Sequence, residues 1–204
     1  MTLPSIEQVG GTGWRYDCEE ITQMGKLYHE IDERIARWVG KQRMYFVSTA
    51  PDSADGHINC SPKGLDSLRI TGPRELALLD IGGSGIETVA HVKQNRRIVV
   101  MLCAFDGPPR IFRFHGMGEV IEPAYAEFAR WLKLFPGFES ARSIVRVAVT
   151  RISDSCGFGV PRYEFVEDRS AMMKWVAGKS ETEMLQYRAD NNRFSIDGLP
   201  GLDI

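Results

Sequence analysis

Apolar residues at Ile21, Met24, Leu27, Tyr28, Ile31, Ile35 and Trp38 recur at helical spacing, and Glu30, Asp32, Glu33, Arg34 and Arg37 fill much of the opposite side. This pattern predicts an amphipathic helix over about 21–39. The period then shortens. Met44 to Ala50 is a β-rich run closed by Pro51-Asp52 and a turn near Asp55-Gly56, and 57–61 reads as the returning arm of a hairpin that Pro62 ends. Leu76 to Ile81 predicts another strand. The run from Arg97 to Phe105 is almost continuously apolar, which predicts burial on both faces. A strand from Arg110 to Ile121 follows after Asp106-Gly-Pro-Pro, a link far too short for a crossover, so the two are expected to be antiparallel.

Glu122-Pro123 then opens a predicted helix whose inner side carries Tyr125, Phe128, Trp131, Leu132 and Phe135. Ser143 to Ser155 alternates Ile144, Val145, Val147, Val149 and Ile152 with Arg146, Thr150 and Arg151, as a long strand with one solvated face does. Arg169 to Asn191 reads as a helical extension broken around Gly178. The tail 195–204 lacks periodicity and fits either an ordered lid or a loose end. Antiparallel strands with interspersed helices give an α+β class and a curled sheet or barrel, expected as one domain over 1–204. Periodicity alone does not select among such barrels.

Composition narrows the function classes. The chain has 204 residues, 43% hydrophobic and 25% charged, with a net charge of −2, so one well-filled core is expected and nothing pulls it towards nucleic acid or an anionic membrane. No apolar run approaches the roughly 20 residues that span a bilayer. The first residues, Met-Thr-Leu-Pro-Ser, lack a secretory pattern. Cys18, Cys60, Cys103 and Cys156 are scattered, with Cys60 and Cys103 in strand-like runs where reduced core thiols are expected. A cytoplasmic location follows from that reading. His29, His57, His91 and His115 show no metal-ligand spacing, so no metal is expected.

The candidate chemistry lies where the strand ending Leu78-Leu-Asp-Ile81 meets Gly82-Gly-Ser-Gly85 and a helix begins at once. Glycines let backbone N–H groups approach a ligand closely, and the helix start adds free donors and a positive dipole end. Such a turn suits an anion, most often phosphate. A nucleotide-hydrolase loop needs Lys-Ser or Lys-Thr after its last glycine, whereas Ile86-Glu87 stands here. The dinucleotide fingerprint is only partly met, with Thr88 where a third glycine belongs, and the antiparallel strands that follow do not supply its further β-α-β units.

In order along the chain stand Phe46-Val-Ser-Thr-Ala50, Asn59-Cys-Ser-Pro-Lys-Gly64, Asp80-Ile-Gly-Gly-Ser-Gly-Ile-Glu-Thr88, His91-x-x-x-Asn95-x-Arg97-Ile98 and Pro109-x-Ile-x-Arg113-x-x-Gly116. This series resembles the pyridoxamine 5′-phosphate oxidase-related family of FMN-binding split barrels. The segments Cys156-Gly-x-Gly-Val-Pro161 and Ser195-Ile-Asp-Gly-Leu-Pro-Gly201 are similar to those of an uncharacterised bacterial branch of it. The resemblance implies a six-stranded antiparallel split β-barrel with flanking helices, a homodimer with FMN at the interface, and a small-molecule oxidoreductase. It assigns cofactor contacts to Asn59, Ser61, Lys63, Gly83, Ser84, Gly85, Thr88, Arg97 and Arg113. Lys63 would act as the point charge that the turn lacks. Arg97 and Arg113 would tune the flavin ring or form ion pairs.

Two departures stand out. The oxidases proper carry a basic Arg-Lys pair after the glycine turn, where this chain has Glu87-Thr88, and their C-terminal tryptophan and arginine motif is absent. Both point to a substrate other than pyridoxamine phosphate. The alternative reading is a flavin- or haem-binding carrier or sensor without turnover.

Overall fold

The computed structural model describes residues 25–138 and 140–204. Eight strands form one antiparallel sheet: β1 (Leu27–Tyr28), β2 (Tyr45–Thr49), β3 (Asn59–Lys63), β4 (Leu68–Gly72), β5 (Glu75–Asp80), β6 (Arg97–Cys103), β7 (Ile111–Ile121) and β8 (Ser143–Ser155). The order is β3-β2-β6-β7-β8-β5-β4, with β1 paired to β8. The two edges, β3 and β4, are consecutive in the chain and joined by residues 64–67 only. So short a link spans at most about 18 Å, so the sheet must curl until its edges nearly meet. The Tyr45 hydroxyl reaches across to Ser67 in that link, 2.9 Å from its hydroxyl. The result is a split barrel, as expected, with eight strands among the described residues in place of six. Pro62, expected to end the hairpin arm, lies inside β3, where an edge strand tolerates its missing N–H.

Inside the curl lies a core built on Val47, Val100, Phe112, Phe114, Val147 and Ile152. A second cluster, with Ile121, Phe128, Trp131, Phe135 and Ile144, covers part of the outer surface. Strand β5 belongs to both: Leu76 and Leu78 face the first, Ala77 and Leu79 the second. Its continuous apolar run has this two-sided burial as its cause. Strand β6, of which the same was expected, differs. Ile98, Val100 and Leu102 are buried, but Val99 and Met101 are only half-buried, because they share the outer face with Phe46, Arg113 and His115.

Among the described residues, five helices flank the sheet: α1 (Glu33–Val39), α2 (Glu87–Asn95), α3 (Phe128–Leu132), α4 (Ala171–Ala177) and α5 (Glu181–Asn191). The first helix is shorter than its apolar spacing predicts. Asp32 caps it by accepting from the Ile35 amide at 2.9 Å. Upstream, Asp154 holds the chain extended by accepting from the Gly25 and Lys26 amides and, at 2.7 Å, from the Tyr28 hydroxyl. Residues 21–24 lie outside the described residues. The helix expected from Glu122 contracts to the five residues of α3, with turns on either side. The C-terminal extension forms as predicted, with α4 and α5 separated by Gly178-Lys-Ser180, and Ser180 with Glu183 closes a capping box on α5. Strand β4 was not foreseen.

Candidate functional site

Strand β5 delivers the chain into Gly82 and Gly83, whose φ angles of +151° and +126° only glycine adopts readily. The turn is then gripped from behind. Arg142, just before β8, donates from Nε to Asp80 at 2.9 Å, from one Nη to the Gly83 carbonyl at 2.7 Å and from the other to the Gly85 carbonyl at 2.6 Å. Asn192, at the end of α5, donates to the Gly83 and Ser84 carbonyls at 3.0 and 3.2 Å. With the carbonyls engaged, the amides of Gly83, Ser84 and Gly85 have no partner among the described residues. No side chain caps the helix start at Ile86, so the first-turn amides of α2 add further free donors.

Burial alone would raise the Asp80 carboxyl, but the charges of Arg142 and Lys63 overcome it and hold it below the ordinary carboxylate range. Lys63 Nζ stands 3.7 Å from Asp80. Lys63 and Gly83, separate in sequence, line one cleft of about 650 Å³, whose far wall is Met172 and Trp175 of α4 and Tyr187 of α5. The two rings meet edge to face, 4.7 Å between centroids.

Beside the turn runs a polar chain. Asn59 donates to Thr88 Oγ1 at 2.9 Å and to Thr49 Oγ1 at 3.2 Å, and accepts from the Ser61 hydroxyl at 2.9 Å. Thr49 Oγ1 lies 3.0 Å from His91 Nδ1. Thr49 Oγ1 accepts from Asn59 and still has one lone pair and its own proton, so it can meet Nδ1 in either neutral tautomer, while Nε2 is buried with no partner among the described residues. His91 is fully buried, and burial lowers its pKa from the usual histidine value. Thr88, having accepted, keeps its hydroxyl proton to donate at the helix start.

Of the expected contacts, Asn59, Ser61 and Thr88 thus form one network, and Lys63 and Gly83 meet at one cleft, with Ser84 and Gly85 exposed on the turn between Gly83 and α2. Arg97 and Arg113 lie elsewhere. Arg97 donates to the Pro51 carbonyl at 3.2 Å and pairs with Asp52 at 3.6 Å. Arg113 donates to Ser155 at 2.8 Å on the outer face. Glu87 does not line the cleft: one carboxylate oxygen accepts from the Ile196 amide at 3.3 Å and the other lies against Gly85 of the turn.

The tail is an ordered strap. Leu202 is buried in the inner core, Asp197 accepts from His57, and Lys93 donates to Asp203 at 2.8 Å and ion-pairs with Glu122. A Cβ on Gly201 would stand 2.2 Å from the Asn192 carbonyl oxygen, so that position admits only glycine. Cys60, expected in the core, points outward from the edge strand, while Cys103 is buried. Arg142, Asn192 and the α4–α5 wall were not foreseen. Among the described residues, no helix is long and apolar enough to cross a membrane.

A curated relative from Aspergillus flavus, the pyridoxamine 5′-phosphate oxidase family protein ustO, is 34% identical over 194 residues, covering 86% of this chain and 77% of the relative. No family profile matches. Among solved structures, a HupZ variant of Group A Streptococcus is 20% identical with a TM-score of 0.49, over 61% of this chain and 98% of that one. An FMN-binding protein from Syntrophomonas wolfei is 14% identical with a TM-score of 0.44, over 57% of this chain and 78% of that one.

Proposed function

The chain belongs to the pyridoxamine 5′-phosphate oxidase family, and from that premise we propose that it is an FMN-dependent oxidoreductase acting on a small molecule other than pyridoxamine phosphate. One observation carries the reading: Gly83, in a turn whose amides are free, lines one cleft with Lys63, and the uncapped start of α2 follows that turn directly. That donor set fits a phosphate monoester. The turn amides and the Thr88 hydroxyl hold the phosphate, Lys63 balances its charge, and Trp175 with Tyr187 excludes water from one side. The flavin, when bound, supplies the electron transfer, and the chain itself needs no nucleophile.

The functional unit in this reading is a homodimer. Phe46, Val99, Met101 and Met117 stand half-buried on one outer sheet face, which a second copy covers, bringing Arg113 near the cofactor. Free thiols at Cys60, Cys103 and Cys156 agree with a cytoplasmic protein.

The protein as purified is expected to be yellow, with a chromophore that mass analysis identifies as FMN. Absence of a chromophore, together with no quenching of FMN fluorescence on mixing, would overturn the reading. A bound flavin that dithionite reduces, but that no reduced pyridine nucleotide or organic donor does, would leave a carrier in place of an enzyme.

A further inference from the structure

At about 650 Å³, the cleft shared by Lys63 and Gly83 has the size of a small-molecule pocket and far exceeds the needs of a phosphate. Most of its lining is apolar: Met44 and Leu65 from the barrel rim, Met172, Trp175 and Tyr187 from the two C-terminal helices. No residue of α4 or α5 is fully buried. Met172 and Val176 pack partly against the outer cluster, and the rings of Trp175 and Tyr187 stay half-buried on the cleft.

This wall is held in place. Trp175 lies against the glycine turn, where a Cβ on Gly82 would stand 3.8 Å from its Cζ3. Tyr187 meets it edge to face from α5, and the Lys179 ammonium stands over the two rings at 5.3 and 5.9 Å. The barrel side carries strain. Leu65 has φ of +58° and Asp66 of +54°, a left-handed conformation that is costly for a leucine. Arg69 maintains it by donating to both Asp66 carboxylate oxygens at 2.8 Å. Strain fixed in this way sets Leu65 on the cleft. Asn59, Ser61 and Thr88, whose polar groups suit a flavin, do not line it.

We propose that α4 and α5 form a recognition wall for a flat aromatic molecule, with Trp175 as the residue that selects it. The role of that molecule as substrate rests on the flavin reading, and the wall gives the substrate a chemical class. Trp and Tyr rings favour an aromatic guest over a saturated one of equal size, because their faces and edges carry opposite partial charge. The thioethers of Met44 and Met172 act in the same sense and adapt to the guest's outline. Arg43, Arg169, Glu167 and Asp168 also line the cleft and leave room for a polar substituent.

The test is calorimetric titration of the protein, with and without excess FMN, using naphthol and its saturated analogue decalol. Naphthol is expected to bind at one site, about tenfold more tightly than decalol, and to stay bound when FMN is added. Trp175→Leu, which keeps apolar bulk without a ring, should erase that preference, and Trp175→Phe should recover most of it. Tyr187→Leu repeats the test should the first variant not fold. Equal binding of the two compounds by the wild type, or a preference unchanged in both leucine variants, would overturn the inference and leave the flavin reading standing. Displacement of naphthol by FMN would do the same, since the wall would then belong to the flavin. Naphthol binding that follows Trp175 in a protein with no affinity for FMN would overturn the flavin reading alone. Wild-type protein that binds neither would overturn both.

Discussion

The glycine turn has a carbonyl side and an amide side, built on opposite terms. On the carbonyl side, Arg142 and Asn192 reach Gly83, Ser84 and Gly85 from 57 to 109 residues away, and every bond has good length. On the amide side, the donors of the turn and of α2 are free, flanked by Lys63 and a Thr88 hydroxyl. A loop rich in glycine is entropically costly to fix. Here one face of the turn is tied down so that the other can stay open in a defined shape. Preorganisation of this kind lets a ligand find its donors already aimed.

Breaking the tied side should have the largest effect. Arg142→Met leaves Asp80 without its principal partner and the Gly85 carbonyl without its donor, and should cost about 3 to 5 kcal/mol in urea denaturation. Arg142→Lys should recover little, because a point charge cannot bond three groups at once. The double variant Asp80→Asn, Arg142→Met should be milder than Arg142→Met alone. Next comes the strap: Gly201→Ala drives a methyl into the Asn192 carbonyl and should destabilise by about 1 to 3 kcal/mol, with FMN binding loosened in parallel.

The open side has its own support in the His91 network, and pH separates the two. His91 has a lowered pKa in the fold and an unfolded value of about 6.5. Above that pH it is neutral in both states and contributes no pH dependence. Below it, the unfolded chain takes up a proton that the folded chain resists, so stability should fall as the pH drops from about 6.5. His91→Phe should flatten that slope whatever its own stability. The smallest effect belongs to Glu87. Glu87→Gln should change stability by about 0.5 kcal/mol or less and tighten FMN slightly by removing a like charge.

The sheet was largely legible because alternation in β7 and β8 survives into burial: Phe112, Phe114 and Val120 face the core while Arg113, His115 and Met117 do not. Strand β4 was not, since all five of its residues are half-buried and no period emerges. Strand β1 hid inside an apparent helix because its extended form depends on Asp154, more than 120 residues away. The site divides in the same way. Lys63 and the glycines are marked by local motifs, whereas Arg142 and Asn192 stand in stretches with no pattern and gain meaning only when β8 and α5 fold against the turn.

Strand β5 runs between the two apolar clusters and ends in the glycine turn. Its amides should therefore be among the last to exchange with deuterated solvent, because opening them requires both clusters to come apart. Whatever steadies the turn should in turn slow exchange on both sides of the sheet, so that occupancy of a surface cleft is registered throughout the molecule as a single cooperative unit.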